Sequence, residues 1–154
     1  MTVPTLTYDA YCGLAALRQH PLIDGSRIGL AGWSLGGGAT VYAGLDVVND
    51  ALNAPGESRF AAHLGMYPGC GYRTADGHRW TPSPIALLCG TADDYTPIAV
   101  SRRCAARINE QGGSAHVVPY EHGLHSFDNP EYNGGVMLWN PCAPKHSCPM
   151  FARP

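Results

Sequence analysis

The stretch that decides the fold is IGLAGWSLGGGA, residues 28–39. Within it, residues 32–36 spell Gly-x-Ser-x-Gly directly behind a short apolar run, at a predicted junction between a strand and a helix. A serine hydroxyl is a weak nucleophile until a sharp turn exposes it and a base accepts its proton. We expect glycine at Gly32 and Gly36 because a side chain at either place would collide with the adjoining strand or helix. The pattern predicts a nucleophile elbow with Ser34 at its tip.

Two other interpretations of this stretch stay open at this point. A glycine-rich turn can pack a helix closely on a strand without carrying any chemistry. A phosphate-binding loop also follows a strand, although this run lacks the Gly-x-Gly opening of a dinucleotide site and the Gly-Lys-Ser/Thr ending of a P-loop. An acid and a base later in the chain, in the order Ser, Asp, His, would separate these interpretations.

Two later segments supply an acid and an imidazole at predicted strand ends. The apolar run 83–90 leads into a loop with two aspartates, and the run 115–120 leads into a loop with two histidines. The carboxyl ends of parallel strands open on the edge of the sheet at which the elbow also points, so these side chains could meet Ser34. The candidates are Asp93, Asp94, His122 and His125.

These three signatures together resemble the dienelactone hydrolase family of α/β-hydrolases. Residues 27–37 are similar to that family's elbow, residues 90–97 to its acid loop and residues 120–127 to its histidine loop, so the likeness covers most of the chain up to Phe127. The resemblance implies an α/β fold of the three-layer α/β-hydrolase type with a mainly parallel sheet.

The resemblance also implies a role for each matching residue. Ser34 would be the nucleophile, where the best-known lactone-opening members carry cysteine, and His125 would be the base. Asp93 would orient that histidine and favour the imidazolium formed during attack on a carbonyl. The backbone N–H of Leu35 would donate one hydrogen bond to the oxyanion.

Residues next to these in sequence are expected to support the structure or to line the substrate pocket. We expect Asp94 to lie near the N-terminus of a helix that Thr96 caps and Pro97 begins. Trp33 and Tyr95 are expected to line the acyl pocket as substrate-binding residues.

The early part of the chain is short for this fold. Only 33 residues precede Ser34, and they predict a helix from about Tyr8 to Gln19, a turn and one strand. The loop that normally gives the second oxyanion donor lies further upstream in α/β-hydrolases. We therefore expect the C-terminal half of such a domain, either as a fragment or because the gene model starts late.

Two regions are expected along the chain: a partial hydrolase domain over residues 1–128 and an irregular tail rich in proline and glycine over residues 129–154. A lid or edge-covering segment anchored by residues 136–139 is an alternative for the tail. Within it, Cys142 and Cys148 flank His146, which leaves a disulfide or a zinc site open, but without a second matching pair we predict no metal.

Composition favours one globular domain and argues against binding to nucleic acid or insertion into a membrane. The chain has 154 residues, 45% of them hydrophobic and 14% charged, with a formal net charge of -2. This balance provides no basic surface for nucleic acid, and no apolar stretch is long enough to cross a bilayer. No signal peptide is visible, so a cytoplasmic location is the default expectation unless an N-terminal segment is missing.

The sequence therefore predicts hydrolysis of a small carboxylic ester or lactone through an acyl-enzyme at Ser34, without a cofactor. A serine peptidase with the same three residues is an alternative. The other alternative is a non-catalytic hydrolase remnant that binds a partner, or a second copy of itself, through an exposed sheet edge.

Overall fold

Helices and strands alternate along most of the chain. The computed structural model describes residues 1–71 and 77–137. In chain order the elements are α1 (Val3–Arg18), β1 (Leu30–Trp33), α2 (Leu35–Tyr42), α3 (Asp46–Leu52), β2 (His63–Met66), β3 (Pro84–Gly90), α4 (Ile98–Glu110), β4 (Ser114–Tyr120) and a short 3-10 helix (Pro130–Tyr132). The order helix, strand, elbow helix, strand, strand, helix, strand agrees with the sequence prediction, to which α3 is an addition.

The four strands form one parallel sheet in the order β1-β2-β3-β4. Its register places Trp33 beside Met66, Met66 beside Leu88 and Leu88 beside Val118. All four carboxyl ends therefore open on the same edge of the sheet, which is where α/β folds place their sites. The mainly parallel α/β architecture predicted from the sequence is confirmed.

The core lies on one face of this sheet. Ile85, Leu87 and Cys89 alternate along β3 and are fully buried, and they join a cluster that includes Leu14 of α1 and Ile108 of α4. Alternation arises because successive side chains of a strand point to opposite faces. Helices α1 and α4 thus contribute side chains to a core on the face that Ile85, Leu87 and Cys89 share.

The opposite face carries an apolar groove of about 380 Å³. One row of laterally paired residues crosses it, formed by Ala31, Leu64, Ala86 and His116. Ala31 and His116, at the two ends of the row, are exposed to solvent. Within the described ranges, no helix has the length and apolar character needed to cross a bilayer.

The first helix begins earlier than the sequence periodicity predicts. It starts at Val3 instead of near Tyr8, because Thr2 and Thr5 form a reciprocal capping box at its N-terminus. Pro4 falls in the first turn, where a missing N–H costs no intrahelical hydrogen bond. Val3 and Thr7 are buried on this added stretch, so packing as well as capping favours the earlier start.

The turn between β1 and α2 holds Ser34 in a conformation that is rare for a side-chain-bearing residue, with φ 51° and ψ -112°. A Cβ at Gly32 would lie 2.3 Å from the carbonyl oxygen of Gly36, as the sequence leads us to expect. The same expectation is wrong for Gly36, where a Cβ would meet nothing within 4 Å. The second close approach falls on Gly37 instead, since α2 meets β2 there and a Cβ would lie 2.9 Å from the oxygen of Met66.

Part of the predicted tail contacts the domain. Backbone hydrogen bonds run from Leu124 N to Gly134 O at 3.0 Å and from Val136 N to His125 O at 2.7 Å. The remaining predictions for the tail, including those for Cys142, His146 and Cys148, concern residues outside the described ranges.

A matched pair of substitutions tests the packing of this turn. Gly32→Ala should lower the free energy of unfolding by at least about 2 kcal/mol, because the new Cβ overlaps backbone that cannot rotate away. Gly36→Ala, in open space on α2, should stay within about 1 kcal/mol of the unsubstituted chain. Urea unfolding measures both values, and equal effects of the two substitutions would contradict the packing.

Candidate active site

A chain of hydrogen bonds joins three side chains at the carboxyl edge of the sheet. Ser34 Oγ lies 3.0 Å from His125 Nε2, and His125 Nδ1 lies 2.9 Å from Asp93 Oδ2. The three residues follow β1, β3 and β4, so the parallel register brings together positions up to 91 residues apart. Because a carboxylate can only accept, Nδ1 carries the proton toward Asp93, which leaves Nε2 able to accept from Ser34.

Burial distinguishes these residues from their neighbours in sequence. His125 is 3% exposed and Asp93 is 5% exposed, whereas His122 lies on the surface. The carboxylate that meets the imidazole belongs to Asp93 and not to Asp94. Ser34 itself is partly exposed, which leaves its hydroxyl open to an incoming molecule.

Four donors surround the carboxylate of Asp93. Its Oδ1 accepts from the backbone N–H groups of Tyr95 at 2.9 Å and Thr96 at 2.8 Å, and its Oδ2 lies 2.7 Å from the Thr96 hydroxyl as well as near His125. Burial acts to raise the pKa of Asp93, but the hydrogen bonds from His125 and Thr96 outweigh it and hold that pKa below its ordinary value. Asp93 is therefore a carboxylate at neutral pH.

Thr96 has a different place from the one that its sequence position suggests. Helix α4 begins at Ile98 with Pro97 as its N-cap, and no side chain caps it, so the expected cap by Thr96 is wrong. The Thr96 hydroxyl instead lies 2.7 Å from Asp93 Oδ2, 3.1 Å from the carbonyl oxygen of Tyr67 and 3.2 Å from His125 Nδ1. The acid loop turns Thr96 inward because both Asp93 oxygens attract its donors.

Two aromatic rings contact the imidazole. The ring of Tyr67 has its centroid 4.6 Å from that of His125, and the exposed ring of Tyr95 meets His125 edge-on at 5.0 Å. Tyr67 adopts a left-handed backbone conformation with φ 35° directly after β2. Burial raises the pKa of its phenol to about 12, helped by a hydrogen bond to Asp128, so this hydroxyl stays protonated and donates.

The other predicted site residues lie around Ser34. Leu35 is the first residue of α2, where helix geometry leaves backbone N–H groups without an intrahelical acceptor. Trp33 is 50% exposed and donates its indole N–H to Asp128 at 2.7 Å. Trp33 and Tyr95 therefore both present aromatic surface to solvent beside the hydrogen-bond chain.

The acid loop and the histidine loop touch through their backbones. Ala92 N donates to Gly123 O at 3.0 Å, and Thr91 N donates to Tyr120 O at 2.9 Å. At Gly90 a Cβ would lie 2.1 Å from the oxygen of Gly123, so only glycine fits there. Across residues 1–71 and 77–137, no three His, Cys, Asp or Glu side chains gather closely enough to hold a metal ion.

The fold resembles solved structures of an esterase, esterase 2 of the planctomycete Thermogutta terrifontis. Its form phosphoramylated by tabun is 22% identical to this chain, with a TM-score of 0.62 over 84% of this chain and 57% of that chain. The propionate-bound form is 22% identical with a TM-score of 0.65, over 82% of this chain and 57% of that chain. The form phosphonylated by cyclosarin is 23% identical with a TM-score of 0.64, over 84% and 57%. The chain has an α/β-hydrolase-type fold.

This likeness concerns the fold alone. The chain spans 57% of the length of these solved structures. No family model matches the sequence, and no curated protein matches it. An α/β-hydrolase-type sheet with Ser34, His125 and Asp93 at its carboxyl edge is therefore the basis from which function is argued.

Sequence reasoning missed three residues that contact this site: Tyr67, Thr96 and Asp128. Tyr67 follows the short strand β2, and a turn of the form Tyr-Pro-Gly carries no signal for contact with a histidine. Thr96 carries an ambiguous signal, because the same Asp-x-x-Thr spacing suits a helix start. Asp128, three residues after His125, lies in the stretch Phe-Asp-Asn-Pro, which predicts only a turn.

Replacing Thr96 tests its contribution to the charge of Asp93. Thr96→Val removes the hydroxyl at nearly constant volume and should raise the pKa of Asp93 toward the ordinary value, while Thr96→Ser should leave it low. A lowered carboxyl pKa stabilises the fold above the ordinary pKa, and this contribution is lost as the pH falls through the lowered value. Thr96→Val should therefore cost about 1–2 kcal/mol of unfolding free energy at pH 7 and less in acid.

Carbon-13 NMR titration of the aspartate carboxyls measures that pKa directly, and urea unfolding at several pH values measures the stability. An Asp93 pKa that is the same in Thr96→Val and in the unsubstituted chain would contradict the assignment.

Proposed function

We propose that this protein is a serine hydrolase of carboxylic esters or lactones, a member of the dienelactone hydrolase family with serine in place of the nucleophilic cysteine. The observation that carries the proposal is the hydrogen-bond chain from Ser34 through His125 to Asp93, with Ser34 in a strained turn at the mouth of the sheet. A hydroxyl, a base and an orienting acid in this arrangement are what nucleophilic attack on a carbonyl requires.

In the proposed first stage, Ser34 Oγ attacks the carbonyl carbon of the substrate and His125 Nε2 takes the hydroxyl proton. Asp93 holds the Nδ1–H tautomer and stabilises the imidazolium that forms. The carbonyl oxygen becomes an oxyanion and accepts the backbone N–H of Leu35. When the tetrahedral intermediate collapses, the carbon–oxygen bond to the alcohol breaks and His125 returns the proton to the leaving oxygen.

In the second stage, water attacks the acyl group on Ser34 while His125 accepts a proton from that water. The collapse of the second intermediate releases the carboxylic acid and restores the Ser34 hydroxyl. No step consumes a cofactor. Trp33, which precedes Ser34, and Tyr95, which contacts His125, both have exposed rings and are proposed to contact the acyl group.

The similar structures support this proposal in one respect. The Thermogutta esterase is an ester hydrolase by name, and one of its forms is phosphonylated by cyclosarin. Cyclosarin is itself a fluorophosphonate, and reagents of this class react with activated serine hydroxyls. A fluorophosphonate probe is therefore a direct test of Ser34 in this chain.

Labelling with a fluorescent fluorophosphonate at neutral pH tests the assignment residue by residue. We expect the unsubstituted chain to be labelled, Ser34→Ala to be unlabelled, and His125→Ala and Asp93→Asn to react at least about 1,000-fold more slowly. His122→Ala and Asp94→Asn are matched controls from the same two loops and should react at the rate of the unsubstituted chain. Gel fluorescence over time gives each rate.

The outcomes separate the proposal from its alternatives. Labelling that survives Ser34→Ala would remove the serine assignment. A folded chain that takes up no label would favour the binding module, acting through the open edge of β1, which ends the sheet in the described residues. A labelled chain that also cleaves peptide amides, in a reaction that Ser34→Ala abolishes, would favour the peptidase.

A further inference from the structure

The carboxylate of Asp128 joins two residues at the carboxyl ends of the neighbouring strands β1 and β2. Its Oδ2 accepts the indole N–H of Trp33 at 2.7 Å, and its Oδ1 accepts the hydroxyl of Tyr67, also at 2.7 Å. Both bonds are short and have a charged acceptor, and such bonds are stronger and more directional than neutral ones. The acid sits near the surface, so it is accessible to substitution without opening the core.

One of the two donors adjoins Ser34 in sequence, and the other contacts His125. Trp33 is the last residue of β1 and directly precedes Ser34. A hydrogen bond to its side chain therefore restrains the start of the elbow. Tyr67 follows β2 and packs its ring on the imidazole at 4.6 Å. Asp128 itself lies three residues after His125, so one carboxylate ties the loops after three strands to one another.

The backbone around this junction is under strain. Ser34, Tyr67 and Ser126 all have positive φ, at 51°, 35° and 60°. Residues in such conformations keep them only when the surroundings determine their geometry from more than one side. The Ser34–His125 contact of 3.0 Å connects the elbow to the histidine loop, and the bond from Trp33 to Asp128 connects the same two segments a second time.

We propose that Asp128 is a positioning residue for the reaction. It holds the histidine loop against the elbow through Trp33, and it holds the Tyr67 ring against His125. It touches neither the substrate nor the reacting atoms. The inference rests on the proposed serine hydrolase function and adds a residue that acts through His125.

Substitution of Asp128 separates geometry from charge. Asp128→Ala removes both acceptors and should lower kcat for p-nitrophenyl acetate, and the rate of fluorophosphonate labelling, by about 10-fold to 100-fold with KM changed less than about threefold. Asp128→Asn can still accept from Trp33 through its oxygen and donate to the Tyr67 oxygen through its nitrogen, so it should recover most of the rate. Asp9→Ala, an exposed aspartate on α1, is the matched control and should match the unsubstituted chain.

Single-bond variants keep the test decisive if Asp128→Ala unfolds. Trp33→Phe and Tyr67→Phe each remove one hydrogen bond to Asp128 while keeping an aromatic ring, and each should show part of the loss in kcat. Circular dichroism and the thermal midpoint establish which variants are folded. Should neither single variant lose rate, the inference is overturned.

Two results would overturn the inference while leaving the proposed function standing. One is an Asp128→Ala variant that is folded and labelled at the rate of the unsubstituted chain. The other is an equal loss in Asp128→Ala and Asp128→Asn, which would mean that negative charge matters and the hydrogen-bond geometry does not. An unsubstituted chain that takes up no label would remove both the proposed function and the positioning role that depends on it.

Discussion

Close backbone packing at the carboxyl edge of the sheet is the constraint on which the candidate site depends. At Gly32 and Gly37 the helix that follows Ser34 approaches β1 and β2 so nearly that a methyl group would overlap carbonyl oxygens. This contact directs the serine hydroxyl out of a turn that a relaxed chain would avoid, with φ 51°. The parallel register then sets the other strand ends beside it, so the acid and the imidazole arrive from β3 and β4 without any long-range adjustment.

Two opposing effects set the charge of Asp93 within this frame. Asp93 is buried, which disfavours its charge, yet its hydrogen bonds more than compensate and its pKa stays low. The proton between Asp93 and His125 therefore belongs to the imidazole, and in the Nδ1–H tautomer the other ring nitrogen, Nε2, faces Ser34 as an acceptor. The backbone N–H groups of Tyr95 and Thr96 make this possible, so the conformation of the acid loop matters as much as the identity of the acid.

The sequence predicted the parallel architecture and the loops that meet at this edge because both depend on patterns of residues that are close together in sequence. A strand followed by Gly-x-Ser-x-Gly, and apolar runs followed by an aspartate or a histidine, need no knowledge of distant partners. Thr96 and Asp128 could not be placed this way. Thr96 turns inward because Asp93 offers acceptors, and Asp128 meets Trp33 across 95 positions of sequence, a contact that exists only once the sheet has formed. The early start of α1 was missed for a smaller reason, since a Thr-x-x-Thr capping box is weaker than the apolar periodicity that follows it.

The contact between Gly90 and Gly123 carries a consequence for recombination of this domain. A carbonyl oxygen of the histidine loop occupies the space that a side chain would need at the end of β3, so the two loops are moulded to each other. If either loop alone were replaced by that of a related hydrolase, the new loop would no longer fit the loop that it contacts. In directed evolution, residues 90–97 and 120–127 should therefore be exchanged together, with shuffling crossovers placed before residue 90 and after residue 127 and none in α4 or β4 between them.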